Sequence, residues 1–312
     1  MSCRNENNPE ECRMAAFYFS VGPFRYRIES EIPEVAHTLE LLYEDFPRCD
    51  ETKWYDFHVR TIRRPFLQSF GRDPYRLLLD HVEPFLPFPR NQAGAMLEWG
   101  MNWCLWLNLH HWLIFHAAML ERNGRGLILA AESGDGKSTL AAALAFRGWR
   151  LLSDELTILD PDDVVRLTPN GPPVARMVPI PRPVCLKNES IRVVKEFLPE
   201  AVFSPEYPDT GKGRIAHVKP PRAAVERMGE RVIPRWIVFP KYTPGAPPTW
   251  TPWEKAEALL QWGGHGRGYS VLGKKGFECV ANVIHHSDCW KFEYSNLSDA
   301  VEEMSQLANS SF

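Results

Sequence analysis

The stretch that most constrains this chain runs from Gly126 to Phe146 and reads GLILAAESGDGKSTLAAALAF. Leu127 to Ala130 is a short apolar run of the kind that forms a buried strand. Ala131 to Ser138 is a glycine-bearing turn that closes on Lys-Ser, and the Ala- and Leu-rich run from Thr139 to Phe146 favours helix. Strand, glycine turn, Gly-Lys-Ser and helix, in that order, make a phosphate-binding loop in the context it needs. Glycine lets the backbone approach an anion closely, and successive N–H groups at a helix N-terminus then face it. Ser133, Gly134, Asp135, Gly136, Lys137, Ser138 and Thr139 would therefore line the phosphates. Lys137 would reach the β and γ oxygens, and the Ser138 hydroxyl would hold Mg²⁺. The first position of the motif carries Ala131 in place of glycine, which serves if φ there is negative.

Composition narrows the rest. A chain of 312 residues, 44% apolar and 24% charged, has the make-up of a globular protein with one large core or two modest ones. A net charge of −3 carries no footprint for nucleic acid. The seven cysteines form no CxxC pair, and an odd count without a leader segment reads as a reducing cytoplasm. Met96 to Leu120 has the length of a membrane span, but Glu98, Asn102, Asn108, His110, His111 and His116 make it too polar to face lipid. It reads as a buried helix followed by a buried strand.

Along the chain, Met1 to Met14 is polar and expected to fray. Ala15 to Ser20 and Phe24 to Ile28, around Val21-Gly22-Pro23, read as a hairpin. Pro33 to Phe46 reads as a helix, and Asp56 to Ile62 and Tyr75 to Val82 as strands. Residues 1–90 thus form a small α+β region, either a packing module or one that recruits a substrate, and residues 91–312 hold the loop. Asn91 to Leu109 reads as a helix whose Trp99, Trp103 and Trp106 share one face, a stripe expected in the core. Trp112 to Glu121 reads as one strand, followed by an Asn123-Gly124 hairpin turn. Gly148 stops the loop helix, Leu151-Leu152 opens a strand, and Leu156 to Leu159 continues it. The prolines between Pro161 and Pro252 favour loops and edges over long helices. Trp236 to Pro240 reads as a strand, and Pro252 to Trp262 and Leu297 to Ala308 as helices. Gly263 to Gly268 lacks a following helix signal and reads as a loop, and His285-His286 lacks ligand spacing for zinc.

Asp154 and Glu155 follow an apolar pair shortly after the loop. A Mg²⁺-nucleotide site needs carboxylates so placed: one to orient the metal and one to accept a hydroxyl proton. Glu155, with Ser138, is assigned to the metal. Asp154 is assigned to the proton and also counted among the metal's carboxylates.

The run from His116 through Gly124-Arg125-Gly126, Gly134 to Ser138, Gly148-Trp149-Arg150-Leu151 and Asp154-Glu155 resembles the catalytic core of HPr kinase/phosphorylase. Pro179 to Ser190 and Asp209 to Pro221 are similar to segments of the HPr kinase-related proteins, the group that includes lasso-peptide kinases. The signature that accompanies phosphorylase activity in the family is not evident. The resemblance implies an α/β fold (α+β mixed), with a core like that of phosphoenolpyruvate carboxykinase: mixed β-sheets around a phosphate loop, the nucleotide at the edge. It implies an ATP- and Mg²⁺-dependent kinase that transfers the γ-phosphoryl group to a serine hydroxyl of a peptide or protein, and an enzyme that assembles as a homo-oligomer. It places His116, which alone would read as a core histidine, near the γ-phosphate. Arg182, Lys187, Lys212, Arg214, His217 and Lys219 lie in Pro- and Gly-rich segments that could close over a nucleotide, with Lys187 and Arg214 the preferred pair. Two other readings stand beside this one: a kinase of a small molecule such as free serine, and a nucleotide-binding scaffold without catalysis.

Overall fold

The computed structural model describes residues 14–64, 74–132, 134–264 and 266–309. The N-terminal stretch expected to fray lies outside them up to residue 13, as do Ser133 of the glycine turn and His265 of the glycine-dense loop.

The N-terminal region is a four-stranded sheet in the order β1 (Ala15–Val21), β2 (Phe24–Ser30), β3 (Phe57–Arg63), β4 (Tyr75–Leu79). Buried and half-exposed residues alternate along β2, so one face points inward. β2 and β3 run parallel, which requires a crossover. Helix α1 (Pro33–Leu42) makes it, with Pro33 in its first turn. The helix stops four residues short of Phe46 because Tyr43 leaves the helical path (φ −113°) and turns its ring into the core. Helix α2 (Ala93–Asn108) lies over the same face and buries Leu97, Met101 and Leu105. That side of α2 is the core side, so the tryptophan stripe expected in the core lies at its margin. Trp99 and Trp106 are half-buried and Trp103 is exposed. Each ring is covered individually: Trp99 by Lys212, Trp103 by Phe85, Trp106 by Arg267.

The second half is built on two sheets packed face to face. The larger has the order β15 (Thr249–Pro252), β16 (Asp288–Tyr294), β14 (Ile233–Tyr242), β7 (Arg125–Leu129), β6 (Ala118–Arg122), β8 (Arg150–Ser153). β16, β14 and β7 are parallel to one another, and the flanking pairings are antiparallel. The smaller has the order β10 (Pro173–Met177), β9 (Thr157–Arg166), β5 (Leu113–Phe115). Helix α3 (Lys137–Ala145) packs on the far face of the larger sheet beside α4 (Glu189–Phe197) and α8 (Leu297–Asn309). Helix α7 (Tyr269–His286) packs with the smaller sheet. A third sheet, β11 (Val184–Lys187), β13 (Gly213–Val218), β12 (Tyr207–Thr210), lies beside α3, and the short helices α5 (Arg222–Glu226) and α6 (Lys255–Ala258) complete the chain. The class is α/β with mixed sheets. No helix among the described residues is long and apolar enough to cross a membrane.

Two expected strands are each broken in two, at the same place. Trp112 to Glu121 divides at His116-Ala117, and Leu151 to Leu159 divides at Asp154 to Leu156. The reason is pairing. β5 pairs with β9 (Phe115 opposite Thr157) in the smaller sheet, while β6 pairs with β8 (Met119 opposite Ser153) in the larger. Two adjacent chains therefore pass from one sheet to the other together, and His116 and Asp154-Glu155 are the residues at the crossing. The core of the N-terminal sheet is continuous with this crossing through Ile114, Leu156, Ile158 and Ile180. At its hairpin tip, Gly22 (φ +58°) lies so close to Pro179 that a Cβ would sit 2.2 Å from the carbonyl oxygen. Only glycine permits that approach.

Candidate active site

Parallel strands β7, β14 and β16 all end at the turn that follows β7, where an α/β sheet presents its ligands. Gly134 and Gly136 take φ of +105° and +90°. A Cβ on Gly136 would stand 2.6 Å from the Tyr294 hydroxyl, so glycine is required there by both conformation and space. The ends of the neighbouring strands brace the turn: Tyr242 N–H donates to the Asp135 carbonyl at 3.1 Å, and the Tyr294 hydroxyl to the Gly136 carbonyl at 3.4 Å. Ala131 is not among the residues of positive φ, so alanine meets the backbone requirement at the first motif position. Lys137, Ser138 and Thr139 open α3, and backbone N–H groups of a first helical turn have no intrahelical acceptor.

Lys137 is buried, and its ammonium donates to the Asp154 carbonyl at 2.5 Å and to Asp154 Oδ1 at 3.3 Å. Asp154 is itself buried, and its Oδ2 accepts the Cys185 N–H at 3.2 Å. A carboxylate offers about four lone-pair sites, so Asp154 retains capacity for a further donor. His116 is exposed at the opening of the crossing. Surrounding protein mass, then the Lys137 charge, lower its pKa, which keeps the ring neutral and able to accept a proton.

Glu155 is half-buried and its Oε2 accepts from the Asn102 side-chain amide of α2. Asn102 Oδ1 accepts from Arg182, and Arg182 also donates to the Glu98 carboxylate and to the Glu98 carbonyl at 2.7 Å. The Tyr43 hydroxyl donates to the other Glu98 oxygen at 2.7 Å. Burial works to raise the Glu155 pKa, but the charges of Lys212, Lys137 and Arg182 outweigh it and hold the group below the usual carboxylate range. Asp154 and Glu155 themselves, with Glu98, Asn102, Arg182 and His217, line a cavity of about 10 Å³, room for one water-sized body. His217 is buried with neither ring nitrogen hydrogen-bonded among the described residues, and burial lowers its pKa.

No family model matches the chain, and no curated protein matches it. Among solved structures, a match is the HPr(Ser) kinase/phosphatase from Coxiella burnetii. It is 15% identical, covers 62% of this chain and 96% of that one, and superposes with a TM-score of 0.26. A superposition this loose carries no argument about what the chain does, and the side chains have to supply it.

The structure brings Lys137, His116, Asp154 and Glu155 to one crossing, with Gly134, Asp135, Gly136, Ser138 and Thr139 in the turn and helix start beside it. The basic set divides. Lys187 ends β11 within electrostatic reach of His116, and Lys212 sits 5.0 Å over the Trp99 ring, where its charge acts on Glu155. Arg214 instead points outward, 64% exposed, and pairs with Glu206 at 3.5 Å. Lys219 pairs with Glu44 and Asp45. Arg182 is committed to Glu98. Asn102 and Glu98 are the residues that sequence reasoning passed over. Their signal was present: two polar groups four apart, on one side of a helix that is otherwise mostly apolar.

Among the described residues no set of three or more His, Cys, Asp or Glu is arranged to hold a metal alone. Mg²⁺ does not need one, because it takes one or two carboxylates together with phosphate oxygens and water. Glu155 Oε1, to which no donor among the described residues is bonded, and the Ser138 hydroxyl are oxygen ligands of the right kind.

Proposed function

We propose that this chain is an ATP-dependent kinase that transfers the γ-phosphoryl group to a serine hydroxyl of a peptide or protein. The observation that carries the reading is the Lys137–Asp154 contact at the sheet crossing, with Glu155 and His116 beside it. It joins a phosphate-type turn to two carboxylates and a neutral base.

The roles follow from chemistry. Backbone N–H groups of the turn from Ser133 to Thr139 receive the phosphate oxygens, and the Lys137 ammonium bridges the transferring group. Asp154, aligned by Lys137 and the Cys185 N–H, accepts the proton of the attacking hydroxyl as the bond to phosphorus forms and the bond to the ADP oxygen breaks. Little deprotonation is needed early, because the transition state is loose. His116, kept neutral, hydrogen-bonds the γ-phosphoryl group. Glu155, with Ser138 and Asp154, is the oxygen set for Mg²⁺, which when bound neutralises charge on the β- and γ-phosphates. Lys187 and Lys212 add positive charge at the opening. Arg214 stands apart with Glu206, and would join only if the β12–β13 hairpin moved. Within this reading, residues 91–312 carry catalysis and residues 1–90 are an α+β region that either packs against them or recruits the substrate.

The test is ATP binding with and without Mg²⁺ for the wild type and Lys137→Ala, followed by labelled ATP with serine-containing peptides and free serine. Loss of a charge-assisted contact should cost Lys137→Ala about 10- to 100-fold in affinity. Wild-type protein that binds no ATP would end the reading. Binding with no transfer to any acceptor would favour a nucleotide-binding scaffold, and transfer to free serine alone a small-molecule kinase.

A further inference from the structure

We infer that Asn102 is the positioning residue of the Glu155 carboxylate, held in turn by Arg182, so that the seating of the N-terminal unit sets how tightly the site holds a divalent cation. The inference rests on Glu155 being a metal ligand, as in the proposed function.

The hydrogen-bond chain has one possible direction. Arg182 can only donate and an ionised Glu155 can only accept, so the Asn102 amide between them must turn its oxygen to Arg182 and its nitrogen to Glu155. The flipped amide would face donor with donor and acceptor with acceptor. Arg182 is fixed in turn. It lies between Pro181 and Pro183, its N–H donates to the Ile180 carbonyl at 2.8 Å, and its guanidinium is buried against Glu98. Glu98 is bonded by Tyr43, the residue where the chain leaves α1. Both Glu98 and Asn102 stand on α2, which packs on the N-terminal sheet. One oxygen of Glu155 is thereby held, and the other is left for a ligand.

A single asparagine thus connects the N-terminal unit to the metal side of the site. Partners that orient a metal ligand from behind typically set metal affinity by about 10- to 100-fold. Asn102→Leu keeps the branching at Cγ and loses both hydrogen bonds. Asn102→Asp keeps an acceptor for Arg182 and places a like charge beside Glu155.

The measurement is the Mg²⁺ concentration at half-maximal enhancement of ATP binding, with binding in EDTA and thermal unfolding as controls. The expected result is a midpoint raised about tenfold or more by Asn102→Leu and by Asn102→Asp, with binding in EDTA changed by less than about threefold. Glu155→Gln should raise the midpoint as well, and Asn102→Leu added to Glu155→Gln should raise it no further, because both changes remove one device. An unchanged midpoint in both Asn102 variants overturns the inference. So does full additivity with Glu155→Gln, or an equal loss of binding with and without metal, which is what a merely structural residue would produce. If Asn102→Leu does not fold, Asn102→Asp decides. Failure of the parent reading looks different: wild type then binds no ATP, or Glu155→Gln leaves the midpoint unmoved, and the inference falls with it.

Discussion

The glycine turn and the acidic pair face one another across Lys137, and they are constructed in opposite ways. The turn is made from contiguous residues between β7 and α3 and is braced by two strand ends, Tyr242 and Tyr294. The acidic side draws on the end of α1, the middle of α2, the Pro181–Pro183 segment, the crossing at Asp154-Glu155 and the β12–β13 hairpin. A contiguous device needs only its own backbone conformation. A device gathered from five segments needs the whole fold, and it inherits the stability of the weakest seat among them. The turn should therefore tolerate damage to the N-terminal unit, and the acidic side should not.

The strongest way to break this contrast is Glu98→Ala. Removing one member of a buried pair leaves the Arg182 charge uncompensated, at a cost of about 3–5 kcal/mol. Chemical denaturation should record it, and metal-dependent ATP binding should suffer more than binding in EDTA. A loss under about 1 kcal/mol would mean that water reaches the pair and that the acidic side is not tied to α2 as described.

Gly136→Ala probes the other side. A side chain at φ +90° and against the Tyr294 hydroxyl costs about 1–3 kcal/mol. The loss should be accompanied by weaker ATP binding whether or not Mg²⁺ is present, because the damage lies in the turn proposed to receive the phosphates. If instead only the metal-dependent part fell, the two sides would not be separable.

His217 sharpens the contrast through pH. Two buried ring nitrogens without partners among the described residues are a standing cost, so His217→Leu should stabilise the protein by about 1–2 kcal/mol at neutral pH. The sign of the pH effect follows from a folded pKa held below the 6.5 of a free histidine. Above 6.5 both states are neutral and the group contributes nothing. As pH falls below that value the unfolded chain takes up a proton that the folded chain refuses, and stability declines until the folded value is passed. His217→Leu should therefore flatten the acid side of the stability curve. Glu155 acts in the same direction at lower pH: its contribution is complete above its ordinary 4.5 and is lost as pH falls through its lowered folded value. A curve of unchanged slope in His217→Leu would mean that the ring is hydrated in the native state.

How much of this was legible follows from the same contrast. The strand, turn and helix around Lys137 announce themselves, because glycine conformation and helix propensity act over a few residues. So does the Asn123-Gly124 hairpin turn, where both residues take positive φ. The breaks at His116 and at Asp154 to Leu156 do not. Neither carries Pro or Gly, so no backbone breaker distinguishes one strand from two. The break is decided by which partner each half pairs with, some forty residues away. Pairings between residues far apart in the chain leave no periodic trace. The same holds for the tryptophan stripe. Spacing shows that the three rings share a side of α2, but only packing shows that the opposite side is the core.

The smallest effect expected separates two hairpin residues that look alike in sequence. Lys212 and Arg214 stand two apart in a run of basic and glycine residues, and local reasoning favours Arg214. In the folded chain their side chains part: Lys212 lies over Trp99 toward Glu155, and Arg214 meets Glu206 on the outer side. An exposed charge near the proposed phosphate site is worth little in solvent, so Lys212→Ala should weaken Mg²⁺-ATP binding by about two- to fivefold and make the loss with added salt shallower. Arg214→Ala should leave affinity and salt dependence where they were. If the order were reversed, the β12–β13 hairpin would have to turn over when nucleotide binds, and the acidic side would then be an assembly completed by the ligand rather than one held ready by α2.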